Sequence, residues 1–239
     1  MKILGIDGSG LVASVALVED DNLIGEYTTG YKKTHSQTLL PMLDALSGMV
    51  ELDLHTLDAI AVAAGPGSFT GLRIASATAK GLGLSLGCPI VSVPTVDGLA
   101  YNMWGCRDLV CPIMDARRGQ VYTGLYSFDD QGQLQVLEPQ CAVDFKDIAA
   151  KINERGQAVT FLGDGVPVFA ETIQDLLRVP YRFAPAHMNR QHASSIATLG
   201  SIYFAKGQYE TAAAHRPEYL RMSQAERERL EREGKKDAN

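Results

Sequence analysis

Short apolar runs separated by turn residues open the chain. Residues 3–6, 12–18 and 23–28 are mostly apolar, and Gly, Ser, Asp and Asn residues stand between them. Apolar runs of this length with turn-forming residues between them are typical of β-strands joined by tight turns. The pattern predicts a meander of three antiparallel strands.

A helical period replaces this pattern further along the chain. Residues 36–49 carry apolar side chains three and four positions apart, which predicts an amphipathic helix with Pro41 near its first turn or at a kink. Residues 57–64 are apolar apart from Asp58, which indicates a strand buried on both faces. A helix at 70–86, a strand at 89–93 and a helix at 95–103 are predicted next, so the order is βββαβαβα.

The second half of the chain repeats the opening. Strands predicted at 109–114, 121–128 and 134–137 precede a helix at 144–154, a strand at 159–162 and a helix at 168–177. In both halves the first strand ends at an aspartate, Asp7 or Asp115. A weak internal repeat of this kind predicts two copies of one α/β unit, although an unrelated α/β fold with a coincidental pattern would give the same order.

Paired βββαβα units resemble the actin-like ATPase superfamily, which includes sugar kinases. The resemblance implies an α/β fold of two actin-like (RNase H-like) subdomains, each with a mixed sheet. We expect residues 1–105 with about 190–221 to form the first subdomain, including a returning helix at 191–206, and residues 106–189 to form the second, smaller one. Residues 222–239 are almost all charged or small, which predicts a charged tail.

The composition and the charge narrow the range of partners. The 239 residues are 46% hydrophobic, and the formal net charge is -6. This acidic balance disfavours a protein that binds nucleic acid on its own, because neutralising phosphates requires a basic face. The four cysteines lack metal or redox spacing, and no apolar run is long enough to span a membrane. We therefore expect a cytoplasmic protein.

The turn after the first strand is a candidate nucleotide-binding site. Asp7, Gly8 and Ser9 follow an apolar strand, and glycine allows backbone N–H groups to face an anion. In the actin-like superfamily, a turn at this position approaches nucleotide phosphates and magnesium. An ordinary hairpin turn is the alternative. The equivalent turn of the second half, residues 115–119, is basic. A basic turn suits contact with a phosphate or with RNA, and a turn that faces only solvent is the alternative.

The segment from Gly65 to Arg73 is the most informative part of the sequence. Its glycine spacing matches neither a Walker phosphate loop nor a dinucleotide-binding fingerprint. Ser68 or Thr70 can cap the helix that follows by accepting a backbone N–H. Glycines inside that helix cost about 1 kcal/mol each relative to alanine. Its small-residue face is therefore expected to pack closely, either on its own sheet or on a partner helix.

Four blocks in chain order make this sequence resemble the TsaB family. They are residues 35–41 (HSQTLLP), 65–74 (GPGSFTGLRI), 115–122 (DARRGQVY) and 217–221 (PEYLR), so the resemblance extends to about residue 221. It implies a non-catalytic scaffold subunit that pairs with the catalytic subunit TsaD. Their complex forms N6-threonylcarbamoyladenosine next to the anticodon of tRNAs, and an accessory ATPase, TsaE, joins it.

The resemblance also implies where the partner binds. The family dimerises through the helix near residues 35–46 and the helix after Gly71, and a homodimer through the same face is expected when the partner is missing. Contact with tRNA is expected only through the complex, and so is any ATP or ADP. Gly71→Trp should then break association and leave the chain folded. The predicted contact residues are small or apolar: Leu39, Leu43, Gly71, Ala75, Thr78 and Leu82.

One difference separates this chain from the catalytic members. TsaD carries two metal-binding histidines four residues apart after the next strand, and Thr95 and Leu99 stand at those positions here. Threonine is a poor metal ligand and leucine is none, so we expect no metal and no catalytic residue. The rival hypothesis is an active small-molecule kinase or ATPase of the same fold. It depends on Asp7-Gly8-Ser9 and on the glycine-rich turn at 163–165.

Overall fold

Two five-stranded sheets organise the computed structural model, which describes residues 1–31 and 33–221. The first sheet contains β1 (Lys2–Asp7), β2 (Ala13–Glu19), β3 (Asn22–Thr29), β4 (Ala59–Gly65) and β5 (Ile90–Pro94). The second contains β6 (Leu109–Asp115), β7 (Gln120–Phe128), β8 (Leu134–Asp144), β9 (Val159–Leu162) and β10 (Tyr181–Phe183). The helices are α1 (His35–Met49), α2 (Phe69–Leu86), α3 (Thr95–Tyr101), α4 (Phe145–Arg155), α5 (Val166–Leu176) and α6 (Ala193–Ala205). The predicted tail at 222–239 lies outside the described residues.

Both sheets have the same connectivity. The strand order is β3-β2-β1-β4-β5 in the first sheet and β8-β7-β6-β9-β10 in the second. In each, the first three strands pair antiparallel, and the last two run parallel to the first. This repeated mixed sheet confirms the predicted fold class, an α/β protein of two actin-like subdomains.

Strand β4 shows why the first sheet carries helices on both faces. Ile60 and Val62 point into the core beneath α1 and α2, while Ala61 and Ala63 point toward α6. On the α6 side the side chains are small, and a Cβ added at Gly200 would overlap that of Ala61. The strand is buried on both faces as its apolar run predicted, and the alanines allow α6 to lie close to the sheet.

Helix α3 connects the two subdomains through buried contacts. Val96 and Leu99 pack against Val110 and Leu162 of the second sheet. Burial raises the pKa of Asp97 on the same helix, while hydrogen bonds from Tyr126 and Tyr203 lower it. The Tyr126 hydroxyl donates to Asp97 Oδ1 at 2.7 Å. This hydrogen bond joins the two subdomains and is surrounded by apolar side chains.

We expect Tyr126→Phe to destabilise the chain by about 2 kcal/mol. The substitution removes one donor from a buried carboxylate without changing the shape of the ring, and a hydrogen bond to a charged group contributes about 1.5–3 kcal/mol. Urea unfolding measures the change. Tyr181→Phe, at a side chain that is 37% exposed, is the matched control and should change the free energy of unfolding by less than about 0.5 kcal/mol. Equal losses in both variants would contradict the assignment.

Candidate partner-docking face and interdomain cleft

Helix α2 begins directly after the turn that ends β4. Ser68 is its N-cap, and the Oγ accepts the N–H of Gly71 at 3.3 Å. Gly87 ends the helix in the left-handed conformation at φ 67°. Of the two predicted caps, Ser68 is therefore confirmed. The helix packs on the first core with Ala75 and Ala79 facing inward.

The six predicted contact residues divide into two groups. Two are half-buried at the edge of α2: Thr78 and Leu82. Four are already covered inside the chain: Leu39, Leu43, Gly71 and Ala75. The small-residue face of α2 therefore packs on its own subdomain, which was one of the two alternatives. Partner contact by these residues stays a prediction, but the four covered ones are not available on the free surface.

A neighbouring set of small and apolar residues faces outward from the same two helices. We call this set the docking face: Pro41, Ala45 and Gly48 on α1, with Ala77, Gly81 and Leu84 on α2. Leu84 is 62% exposed, and a Cβ added at Gly48 or Gly81 would meet no atom within 4 Å. Small residues allow a second backbone to approach closely. Helical periodicity could have found this face, since it lies opposite the positions that cover the core.

The turn Asp7-Gly8-Ser9 lies beneath the first turn of α2. Asp7 and Ser9 are buried, and Asp7 Oδ1 accepts the Ser9 N–H at 2.8 Å and the Ser9 hydroxyl at 2.6 Å. A Cβ added at Gly8 would lie 3.0 Å from the carbonyl oxygen of Gly71. The Ser9 N–H and hydroxyl are thus used within the chain, and the first turns of α2 pack directly against Gly8.

Burial raises the pKa of Asp7 from 3.8 to about 6, although hydrogen bonds from Ser9 and the charges of His35 and His192 lower it. The folded chain therefore binds this proton more tightly than the unfolded chain does. As a result, Asp7 costs stability as pH rises from about 4 to about 6, and the whole cost remains above pH 6. A difference of about two pK units corresponds to about 3 kcal/mol.

We expect Asp7→Asn to gain stability relative to the parent chain as pH rises. Asparagine keeps the Oδ1 acceptor for Ser9 and cannot ionise, so the gain should reach roughly 2–2.5 kcal/mol between pH 4 and pH 7.5. Urea unfolding at the two pH values measures it. Asp44→Asn, at an exposed carboxylate on α1, is the control and should show no comparable gain. A pH-independent difference between Asp7→Asn and the parent would contradict the burial argument.

The glycine-rich turn at 163–165 is also occupied by contacts within the chain. The Gly163 N–H donates to Asn189 Oδ1 at 2.7 Å, and the Gly165 N–H donates to the carbonyl oxygen of Ile113 at 2.9 Å. Asp164 Oδ1 accepts the N–H of Asp115 at 3.2 Å, and burial raises the pKa of Asp164. These groups hold the ends of β6 and β9 together and leave the two glycine amides without capacity for a phosphate.

The basic turn at 115–119 has an unusual backbone, and its residues 117–119 are exposed. Arg117, Arg118 and Gly119 all have left-handed φ, at 64°, 58° and 73°. Asp115 Oδ1 accepts the Arg117 N–H at 2.7 Å, and Asp115 Oδ2 lies 3.1 Å from Arg117 Nη1. The sequence left open whether this turn faces only solvent or an anion. The side chains of Arg117 and Arg118 are accessible to both.

Residues 217–221 cross from one subdomain to the other, and we call them the crossing segment. The Glu218 N–H donates to the carbonyl oxygen of Ala64 at 2.6 Å at the end of β4. Arg221 Nη1 donates to the carbonyl oxygen of Ala116 in the second subdomain. The sequence marked residues 217–221 as a block of the family resemblance, but it did not predict these contacts, because they join residues more than a hundred positions apart.

A buried histidine that sequence reasoning missed anchors the chain just before the crossing segment. His215 is 0% exposed, and its Nδ1 lies 2.9 Å from Ser92 Oγ and 3.0 Å from Glu210 Oε1. In a Ser-His-acid triad the serine and the acid contact opposite ring nitrogens. Here both contact Nδ1, so the cluster cannot relay a proton in that way. A lone histidine gives no sequence signal of such burial.

The two positions at which the resemblance implies histidines in the catalytic members are used here for packing within the chain. Thr95 Oγ1 accepts the N–H of Gly65 at 3.1 Å and so supports the turn that starts α2. Leu99 is 1% exposed in the apolar layer between α3 and the second sheet. Neither side chain is available as a metal ligand.

Two wider properties concern the described residues only. Among residues 1–31 and 33–221, no three His, Cys, Asp or Glu side chains come together in an arrangement that could hold a metal ion. Across the same residues, no helix combines the length and apolar character needed to cross a bilayer.

Comparison with known proteins gives consistent matches over almost the whole chain. The model of the family described as TsaD, tRNA N6-adenosine threonylcarbamoyltransferase, matches residues 22–229. The tRNA threonylcarbamoyladenosine biosynthesis protein TsaB of Bacillus subtilis is 36% identical over 97% of this chain and 99% of its own length. The TsaB protein of Escherichia coli is 27% identical over 92% of this chain and 95% of its own length.

A solved structure agrees with these matches. YeaZ from Pseudomonas aeruginosa superposes with a TM-score of 0.79 at 27% identity, covering 92% of this chain and 99% of the YeaZ chain. Sequence and structure thus match the same group of proteins from end to end, and the chain belongs to the TsaB family.

Proposed function

We propose that this chain is the non-catalytic scaffold subunit of the complex that forms N6-threonylcarbamoyladenosine in tRNA. The observation that carries the proposal is the docking face, an exposed layer of small and apolar residues on α1 and α2. It occurs in a chain whose full-length relatives are tRNA threonylcarbamoyladenosine biosynthesis proteins. Small side chains and open space at Gly48 and Gly81 suit a partner helix that approaches closely.

Thr95 and Leu99 support the non-catalytic part of the proposal. The catalytic relatives hold their metal with histidines at these positions, according to the resemblance described above. Here the threonine hydroxyl holds the backbone of Gly65, and the leucine fills an apolar layer. Restoring a metal site would therefore need new ligands and also the repacking of α3.

The rival kinase hypothesis finds no support in the two turns on which it depends. Asp7-Gly8-Ser9 is buried under α2, and the amides of Gly163 and Gly165 donate to groups of the chain itself. A phosphate site requires backbone N–H groups that are free to face the anion. We expect the isolated chain to show neither binding of ATP at micromolar concentration nor turnover in calorimetry with magnesium.

The proposed partners follow from this role. A TsaD-like catalytic subunit binds the docking face, and a TsaE-like ATPase joins the pair in the cytoplasm. A second copy of the chain occupies the same face when the catalytic subunit is absent. Any ATP or ADP belongs to the assembled complex rather than to this chain alone.

Reconstitution of threonylcarbamoyl transfer tests the proposal. Purified TsaD-like and TsaE-like subunits, tRNA, ATP and a threonylcarbamoyl donor are combined with and without this chain, and modified adenosine is measured. We expect transfer to depend on the chain. Equal transfer in its absence would remove the proposed role.

A further inference from the structure

A strip of arginines and aromatic rings follows the crossing segment from α2 of the first subdomain to the basic turn of the second. Arg73 Nε donates to the Tyr219 hydroxyl at 3.3 Å, and its guanidinium carbon lies 4.0 Å from the centre of the Phe69 ring. The Phe69 and Tyr219 ring centres are 4.5 Å apart. Two residues further on, Arg221 contacts the basic turn of the second subdomain. We call this set the cationic strip: Phe69, Arg73, Arg117, Arg118, Tyr219 and Arg221.

The strip is positive in a chain that is acidic overall. Four guanidinium groups stand against two carboxylates, Asp115 and Glu218, while the whole chain has a net charge of -6. Arg117 pairs with Asp115, but the Arg117 side chain is 82% exposed. An exposed pair of this kind contributes little free energy, so its guanidinium remains available to another anion.

The backbone of the basic turn is strained at two arginines and is held in that conformation by other residues. Left-handed φ costs roughly 1–2 kcal/mol at a residue with a Cβ, and two consecutive arginines adopt it. Glycine or asparagine would fit these positions at lower cost. Arg221 holds the strained turn by donating to the carbonyl oxygens of Ala116 and Arg117. Strain that the surrounding structure maintains is a feature of functional sites.

We propose that the cationic strip binds the phosphodiester backbone of RNA and gives this chain a direct contact with tRNA inside the complex. The inference rests on the proposed function and goes beyond it, since the chain would contact tRNA itself. Arginines bind phosphates, and exposed aromatic rings and guanidinium planes stack on unpaired bases. Arg73, Arg117 and Arg118 are exposed, so their guanidinium groups are accessible to a strand of RNA.

The position of the strip fits this role. Arg73 lies four residues before Ala77 on α2, so the strip adjoins the docking face. An RNA molecule on the strip would therefore reach a subunit bound to that face. The net negative charge of the chain explains why the strip alone would bind weakly, and why the contact should be measured in the assembled complex.

Binding of tRNA by the reconstituted complex across a range of salt concentrations tests the proposal. The variant carries Arg117→Asn with Arg118→Gly, which removes two charges and relieves the left-handed strain. Each lost phosphate contact should lower the slope of log affinity against log salt by about 0.7–0.9, so the slope should fall by about 1.5. Affinity at low salt should fall roughly 10-fold to 100-fold. Glu218→Gln should act in the opposite direction and strengthen binding a few-fold.

The matched control removes two exposed arginines elsewhere, Arg107→Gln with Arg178→Gln. Arg107 lies at the amino end of β6, whereas the strip lies at its carboxyl end. This variant has the same net charge as the test variant and should keep the parental slope. Thermal unfolding of the test variant at or above the parental temperature shows that any loss of binding is not a loss of fold.

Three results would overturn the proposal. The first is an unchanged salt slope in the test variant, and the second is an equal loss in the control. The third is displacement of tRNA from the parental complex, but not from the test variant, by free ATP at micromolar concentration, which would make the strip a nucleotide site. A failure of the proposed function would be detected by a different measurement. In that case the chain would not co-elute with the TsaD-like subunit before tRNA is added.

Discussion

Gly81→Arg should abolish association with a TsaD-like subunit and leave the chain folded. Gly81 lies at the centre of the α2 part of the docking face, with no atom within 4 Å of an added Cβ. Arginine also has a higher helix propensity than glycine, by somewhat under 1 kcal/mol. In a closely packed interface the same side chain would be a bulky, unpaired charge. A loss of about 3 kcal/mol or more, a factor of at least about 100 in Kd, is expected.

Calorimetric titration with the purified partner, together with sizing chromatography, measures this loss. Val168→Arg is the matched control, because Val168 is also an exposed apolar residue on a helix, at 59% exposure, but lies on α5 of the second subdomain. It should bind as the parent does. Normal association of Gly81→Arg, or equal losses in both variants, would show that the partner binds elsewhere.

The second large effect is on the free energy of unfolding. It is expected when glycine is replaced by alanine at two positions of α2, Gly71 and Gly81. At Gly71 an added Cβ would overlap the carbonyl oxygen of Gly8, whereas at Gly81 it would meet nothing. Gly71→Ala should therefore destabilise the chain by about 3 kcal/mol, the upper end of typical overpacking, because the obstructing atom is backbone and cannot rotate away. Gly81→Ala should stabilise it by roughly 0.5–1 kcal/mol.

Urea unfolding of both alanine variants measures this difference in sign. If both variants gained stability, the close approach of α2 to the turn at Asp7-Gly8-Ser9 would be wrong. The same contact corrects the expectation that Gly71→Trp would leave the chain folded. A tryptophan at this position would force α2 away from β1, so loss of association by that variant could not be assigned to the interface.

Most of the fold could be predicted from the sequence because its helices and strands are short and are bounded by turn-forming residues. The helix predicted at 70–86 is observed as Phe69–Leu86, and the strand predicted at 159–162 is observed as Val159–Leu162. Strand β8 continues to Asp144, beyond the predicted end at 137, because its half-buried residues lack a clean alternation. Strand β10 was missed, since three exposed residues are too short a run for a strand pattern to be recognised.

The candidate sites were less predictable, because they depend on which face of an element is covered. Periodicity placed Leu39, Leu43 and Ala75 on one side of their helices, but it could not say whether this chain or a partner covers that side. The contacts of Arg221 with the turn at 115–119 depend on folding of the whole chain. A local sequence pattern cannot detect contacts between residues more than a hundred positions apart. The contact of His215 with Ser92 could not be predicted for the same reason.

The crossing segment has a consequence for how the two subdomains are held together. A dissolved ligand that bridges two subdomains holds them together only as well as its concentration allows. Here the bridge is part of the chain, so its effective concentration is fixed by covalent attachment at roughly the millimolar level. The contacts of Glu218 with Ala64 and of Arg221 with Ala116 therefore do not depend on the concentration of a dissolved ligand. The crossing segment thus acts as an internal ligand that joins the two subdomains.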